Sequence, residues 1–115
     1  METQLRSNHQ VIRPARLMAP SEIEISSSDR DLLRSLAETY QGFLERAIEK
    51  EKQQLQQRKN DLDWVRPTVI CFPEVSWREI IPAESLQCEG SLARSWENGL
   101  RQRIFTAEMD SDECL

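Results

Sequence analysis

Between residues 32 and 48 the apolar side chains fall at intervals of three and four, and this spacing constrains the fold more than any other feature of the chain. Leu32, Leu33, Leu36, Ala37, Tyr40, Phe43, Leu44, Ala47 and Ile48 share one face only if the backbone is helical. Ser28 stands ahead of Asp29 and Asp31, so a hydroxyl cap and two early carboxylates meet the positive end of a helix dipole. The pattern predicts an amphipathic helix from Ser28 through Ile48. Beyond it, residues 49–60 read EKEKQQLQQRKN, with Leu55 as the single apolar residue. Good helix formers and Glu–Lys neighbours there predict a solvated continuation, with room for a break. Apolar positions are not sustained over heptads, so a coiled coil is not expected.

The second half changes character. Asn60, Asp61, Leu62 and Asp63 make a polar stop, and Pro67 keeps Arg66 out of the helical region. Thr68, Val69, Ile70, Cys71 and Phe72 form a β-branched run between Pro67 and Pro73, the composition of one buried strand. A lone strand leaves its N–H and C=O groups unpaired. It therefore needs either a second strand near residues 85–88, giving a hairpin, or a neighbour outside this sequence. Ser76 can cap a single turn, Trp77 to Ile80, closed by Pro82. From Ser91, the expected N-cap, a second main helix carries Leu92, Trp96, Leu100, Ile104 and Phe105 on one face. The expected class is mainly α with a short β element: two main helices around a strand or hairpin. The chain divides into a disordered tail over 1–27, a long amphipathic helical segment over 28–63 and a strand–turn–helix segment over 64–115. Pro14, Pro20 and the serines Ser26, Ser27 and Ser28 argue for the tail.

Charge narrows the function classes. Four basic and four acidic side chains fall in residues 1–30, seven of each in 31–66, and four basic against nine acidic in 67–115. The excess of −5 thus sits in the last segment and no basic stripe exists, so nucleic-acid binding is not expected. No run approaches the ~18 apolar residues of a membrane span, and no secretory h-region is present, so a cytoplasmic protein is expected. Cys71, Cys88 and Cys114 form no CxxC pair and His9 lies in the tail, so neither a metal site nor a cofactor is expected. The thiols are expected to be reduced, with Cys71 a small buried hydrophobe in the strand.

Candidate chemistry is sparse. Glu74, Glu79, Glu84, Glu89 and Glu97 crowd the informative half, but acid–base work needs two carboxylates in one water-poor cleft. Glu89, beside Cys88 at a strand-to-helix junction, is expected to cap the second helix rather than react. Arg66 suits a pair with Asp61 or Asp63 better than an anionic substrate. Trp77 and Trp96 read as packing anchors. No residue is assigned a catalytic, cofactor-binding or metal-binding role.

Taken in order, Asn60-Asp61-Leu62, Arg66-Pro67 with Val69, Trp77-Arg78-Glu79, Leu86 with Cys88-Glu89, then Arg94, Glu97 and Leu100-Arg101, resemble the N-terminal region of uroporphyrinogen decarboxylase-like proteins. The similarity covers residues 28 to 112 and lies with an uncharacterised branch related to corrinoid-linked methyltransferases. It implies a (β/α)₈ barrel enzyme of tetrapyrrole decarboxylation or methyl transfer, with this region packed on the barrel as a leading helical cap. Such barrels take about 250 residues and keep their chemistry at the strand C-termini. The family's substrate-binding arginines find no counterpart here, because no arginine stands between Arg66 and Arg78, and its His/Cys zinc site lies far downstream, beyond Leu115.

The resemblance therefore implies a truncated N-terminal portion, not catalytic by itself. A second expectation comes from the helix face alone: a non-enzymatic interaction module, with Leu32, Leu36, Phe43, Leu44 and Ile48 meeting a protein partner or a second copy. The two differ in whether residues 69–72 stay exposed or are covered.

Overall fold

In the computed structural model of the chain, which describes residues 19–115, five α-helices and no β-strand are present among the described residues. Helix α1, Pro20–Ile23, is a single turn. Helix α2, Ser27–Leu44, is capped by Ser26, two residues before the expected Ser28. Its hydroxyl accepts from the Asp29 amide at 3.1 Å. A serine triplet offers equivalent caps locally; the earlier one puts Asp29 in the first turn, where its carboxylate reaches the loop before the last helix. Of the expected tail, residues 1–18 lie outside the described residues.

The long first helix is broken sooner than the pattern predicts. It stops at Leu44, and Arg46, with ψ 141°, starts helix α3, Ala47–Asn60. The cause is distant in sequence. The Arg46 guanidinium bonds Glu49 at 3.0 Å and Asp110 at 3.1 Å and lies 3.5 Å from the Ala107 carbonyl, while stacking 4.8 Å from the Phe43 ring centroid. A helix through Ile48 would carry that cation away from the C-terminal carbonyls of the last helix, where positive charge is favoured.

Helix α3 ends in a Schellman pair, Leu62 N–H to the Lys59 carbonyl and Asp63 N–H to the Arg58 carbonyl. That motif needs a left-handed residue, and Leu62 supplies it at φ 60°. Past it residues 63–73 form neither helix nor strand, and the chain then turns through Glu74–Ser76 into the single turn α4, Trp77–Ile80. The expected strand over 68–72 is not formed. β-branched residues favour extended backbone, but a ladder needs a second strand, and residues 85–88 do not provide one.

Helix α5, Ser91–Glu108, packs along α2. Its buried positions are Ala93, Glu97 and Ala107, with Leu100 partly buried beside them. The expected face was one position off: Trp96 is half exposed. Small Ala93 lets α2 and the 83–90 loop close on Leu33 and Cys88, with Ile25, Leu32 and Leu100 around them. The apolar interior amounts to Leu33, Cys88, Ala93 and Ala107.

Candidate docking surface

Two constructions determine what this open fold presents: a tightly held loop before α5 and a loosely held arm after α3. The loop, residues 83–90, opens with a single 3-10 turn, Ala83–Ser85, closed by backbone hydrogen bonds, and its last four amides are held by side chains. Glu97, fully buried, accepts from the Gln87 amide at 2.6 Å and the Cys88 amide at 2.9 Å. Asp29, from the far end of the sequence, accepts from the Glu89 amide at 3.1 Å and the Gly90 amide at 3.0 Å. On the carbonyl side, Arg94 donates to Cys88 at 2.9 Å and Ala83 at 2.8 Å. Four consecutive amides thus rest on two carboxylates, as they would on a neighbouring strand's carbonyls.

The Gly90 amide, opposed by burial and helped by the Glu89 amide, holds the Asp29 carboxyl below the ordinary carboxylate range. A side chain at Gly90 would put its Cβ 3.1 Å from the Glu24 carbonyl and 3.4 Å from Asp29, so a larger residue would push on both and glycine gives the closest approach.

Cys88 sits in the middle of this loop, 1% exposed. Burial, with the charges of Glu97 and Asp29, pushes its thiol up to about 11. The buried cysteine is therefore Cys88 and not Cys71, which is exposed. A buried position for Cys71 required a strand covered on both faces. Glu89 does not cap α5; Gly90 is the N-cap, no side chain caps it, and Asp29 secures the preceding amides instead. Glu74, Glu79, Glu84 and Glu89 are exposed, and Glu97 meets amides and the Arg101 guanidinium at 3.4 Å rather than a second carboxylate in a cleft. Trp77 fits its expected role, edge-on to Phe105 at 5.6 Å. The roles of Asp29 and Glu97 carried no sequence signal, since an acceptor for a distant loop's amides looks like any surface acid.

The arm spans residues 62–75. Leu62 is 91% exposed, Trp64 99%, Val69 69%, Phe72 66% and Val75 85%. It is fastened near its middle by Asp112. Arg66 donates to both Asp112 oxygens at 2.8 and 2.6 Å, the Val69 amide donates to Asp112 Oδ2 at 2.7 Å, and the Asp112 amide donates to the Val69 carbonyl at 2.8 Å. Arg66 therefore pairs with Asp112, not with Asp61 or Asp63. Both candidates next to it in sequence point elsewhere: Asp63 lies 3.7 Å from Arg58 and Asp61 accepts from Gln57. The Arg66 guanidinium, followed by the Val69 amide, holds the Asp112 carboxyl far below its ordinary value, and the pairing raises Arg66 in return.

Of the five residues expected to meet a partner, Leu32, Leu36 and Phe43 are half-buried, while Leu44 and Ile48 remain exposed on either side of the Arg46 elbow. Among the described residues no helix is long and apolar enough to cross a membrane, and no group of His, Cys, Asp and Glu is placed to hold a metal ion. Comparison with protein-family models, curated proteins and solved structures finds no match.

Proposed function

We propose that this chain is a non-catalytic docking segment that lays its 62–75 arm on a larger folded body. By the sequence resemblance, that body is the (β/α)₈ barrel of a uroporphyrinogen decarboxylase-like protein, for which this chain would be the N-terminal portion. The supporting observation is the arm itself. Six large apolar side chains within fourteen residues, Ile70 included, stand exposed, which is far more than isolated surface hydrophobes require. An exposed segment outside helix and strand is also the form that can add to a sheet edge or seat alternate side chains in pockets. Leu62, left-handed and exposed, adds to this, because a strained non-glycine position is kept where something else depends on it.

The test mixes this chain with a separately prepared barrel of that family and follows amide hydrogen exchange. A stable complex is expected, with exchange slowed over residues 62–75. Trp64→Asp and Phe72→Asp should abolish it without changing the helical circular dichroism. If those amides exchange equally fast with and without the barrel, the family reading fails.

A second reading, self-association, rests on Leu44 and Ile48. It predicts a concentration-dependent dimer whose protection centres on the elbow and not on the arm.

A further inference from the structure

Two of the three thiols meet at the arm. Cys71 and Cys114 are both exposed and both line one cavity of about 650 Å³, together with Phe72, Trp77 and Arg103. Each lies two residues beyond one half of the Val69–Asp112 clasp. That clasp is a backbone bond of 2.8 Å reinforced by the carboxylate at 2.7 Å, so it sets the arm and the C-terminal segment side by side. From it the two segments run on into the same cavity. Residues 71–74 and 113–115 both line this cavity, so the two thiols face a common space, and a disulfide forms there once their Cα atoms come within about 4.4–6.8 Å.

We propose that Cys71 and Cys114 form a redox-responsive disulfide latch that fixes the arm to the C-terminal segment. The oxidant is a small-molecule disulfide such as oxidised glutathione. One protein thiolate attacks it and releases one glutathione thiol. The second protein thiolate then attacks the protein sulfur of the mixed disulfide and releases the other. The chain loses two hydrogens, one protein S–S bond forms, and the oxidant becomes two thiols. Cys88 takes no part, being buried between Asp29 and Glu97 with its thiol held neutral. In the oxidised chain the segment after Val69 can no longer swing away from residues 112–115.

The whole chain is equilibrated in graded ratios of oxidised to reduced glutathione, quenched with acid and read by mass spectrometry and peptide mapping. The expected species is a monomer lighter by two hydrogens, with the Cys71 and Cys114 peptides joined and Cys88 alkylated only after unfolding. Cys71→Ser and Cys114→Ser should each stop at the glutathione mixed disulfide. Asp112→Ala, which removes the clasp carboxylate while leaving both thiols, should lower the internal disulfide relative to the mixed disulfide by about tenfold, because the effective thiol concentration falls. Intermolecular dimers, stable mixed disulfides in the unsubstituted chain, or a bond to Cys88 would each overturn the proposal. So would an Asp112→Ala chain that closes as readily as the original.

Discussion

Asp29 and Glu97 show what a carboxylate can do when no strand is available. A buried carboxylate is costly without strong partners, and each here has two backbone donors. Truncating one leaves those amides buried and unpaired, which is the expensive side of hydrogen bonding. Glu97→Ala should therefore destabilise the chain by roughly 3 kcal/mol, measured as a lower urea midpoint with an unchanged slope. Glu97→Gln should recover part of the loss, since its amide oxygen can serve one of the two donors. A Glu97→Ala chain as stable as the parent would mean that Asp29 and Arg94 suffice to hold the 83–90 loop.

At the scale of elements, the end of α3 carries a correctable strain. Leu62 occupies the left-handed position of the Schellman pair at φ 60°, which costs an L-residue about 1 kcal/mol that glycine avoids. Because Leu62 is almost wholly exposed, Leu62→Gly removes no interior packing. The expected outcome is a rise in stability of up to about 1 kcal/mol, read by thermal melting, together with weaker docking of the arm. A fall in stability would show that the leucine side chain has a contact within the chain.

The same elements mark what the sequence made legible. The 32–48 stripe identified α2 because helical periodicity is local, and the single turn after Ser76 was visible for the same reason. The elbow at Arg46 was not, since its partners Ala107 and Asp110 lie more than sixty residues away. Residues 68–72 announced extended backbone, but composition says nothing about whether a ladder partner exists. The face of α5 was read one position off because Ala93 and Glu97, not Trp96, meet the loop and α2. Of the docking surface, the apolar arm residues were visible and their exposure was not.

Over the whole molecule, the arm and the helical body are joined by few links, and the Arg66–Asp112–Val69 clasp is the strongest of them near the arm's centre. Its acid response follows from the direction of the Asp112 shift. The folded carboxyl is depressed below its ordinary 3.8, so the clasp's contribution is complete above that value and lost as pH falls toward the lower folded one. Asp29 shifts in the same direction, so the loop before α5 weakens over the same acid range. Hydrogen exchange at the Val69 amide, corrected for the intrinsic rate at each pH, should stay slow from neutrality down to about pH 4 and speed up progressively below it. In Asp112→Asn it should be fast throughout. Exchange in Asp112→Asn as slow as in the parent chain would place the Val69 restraint elsewhere.

The bond between Asp29 and the Gly90 amide also sets an order of events at birth. When α2 leaves the ribosome, its buried acid has no acceptor role to fill, because the loop it holds is sixty-one residues further on. At about 5–20 residues per second, that interval lasts roughly 3–12 seconds. During it α2 stands without its loop partner, as a helix that is marginal in water by itself, and its tertiary contacts close only once the 87–90 loop and α5 have both emerged.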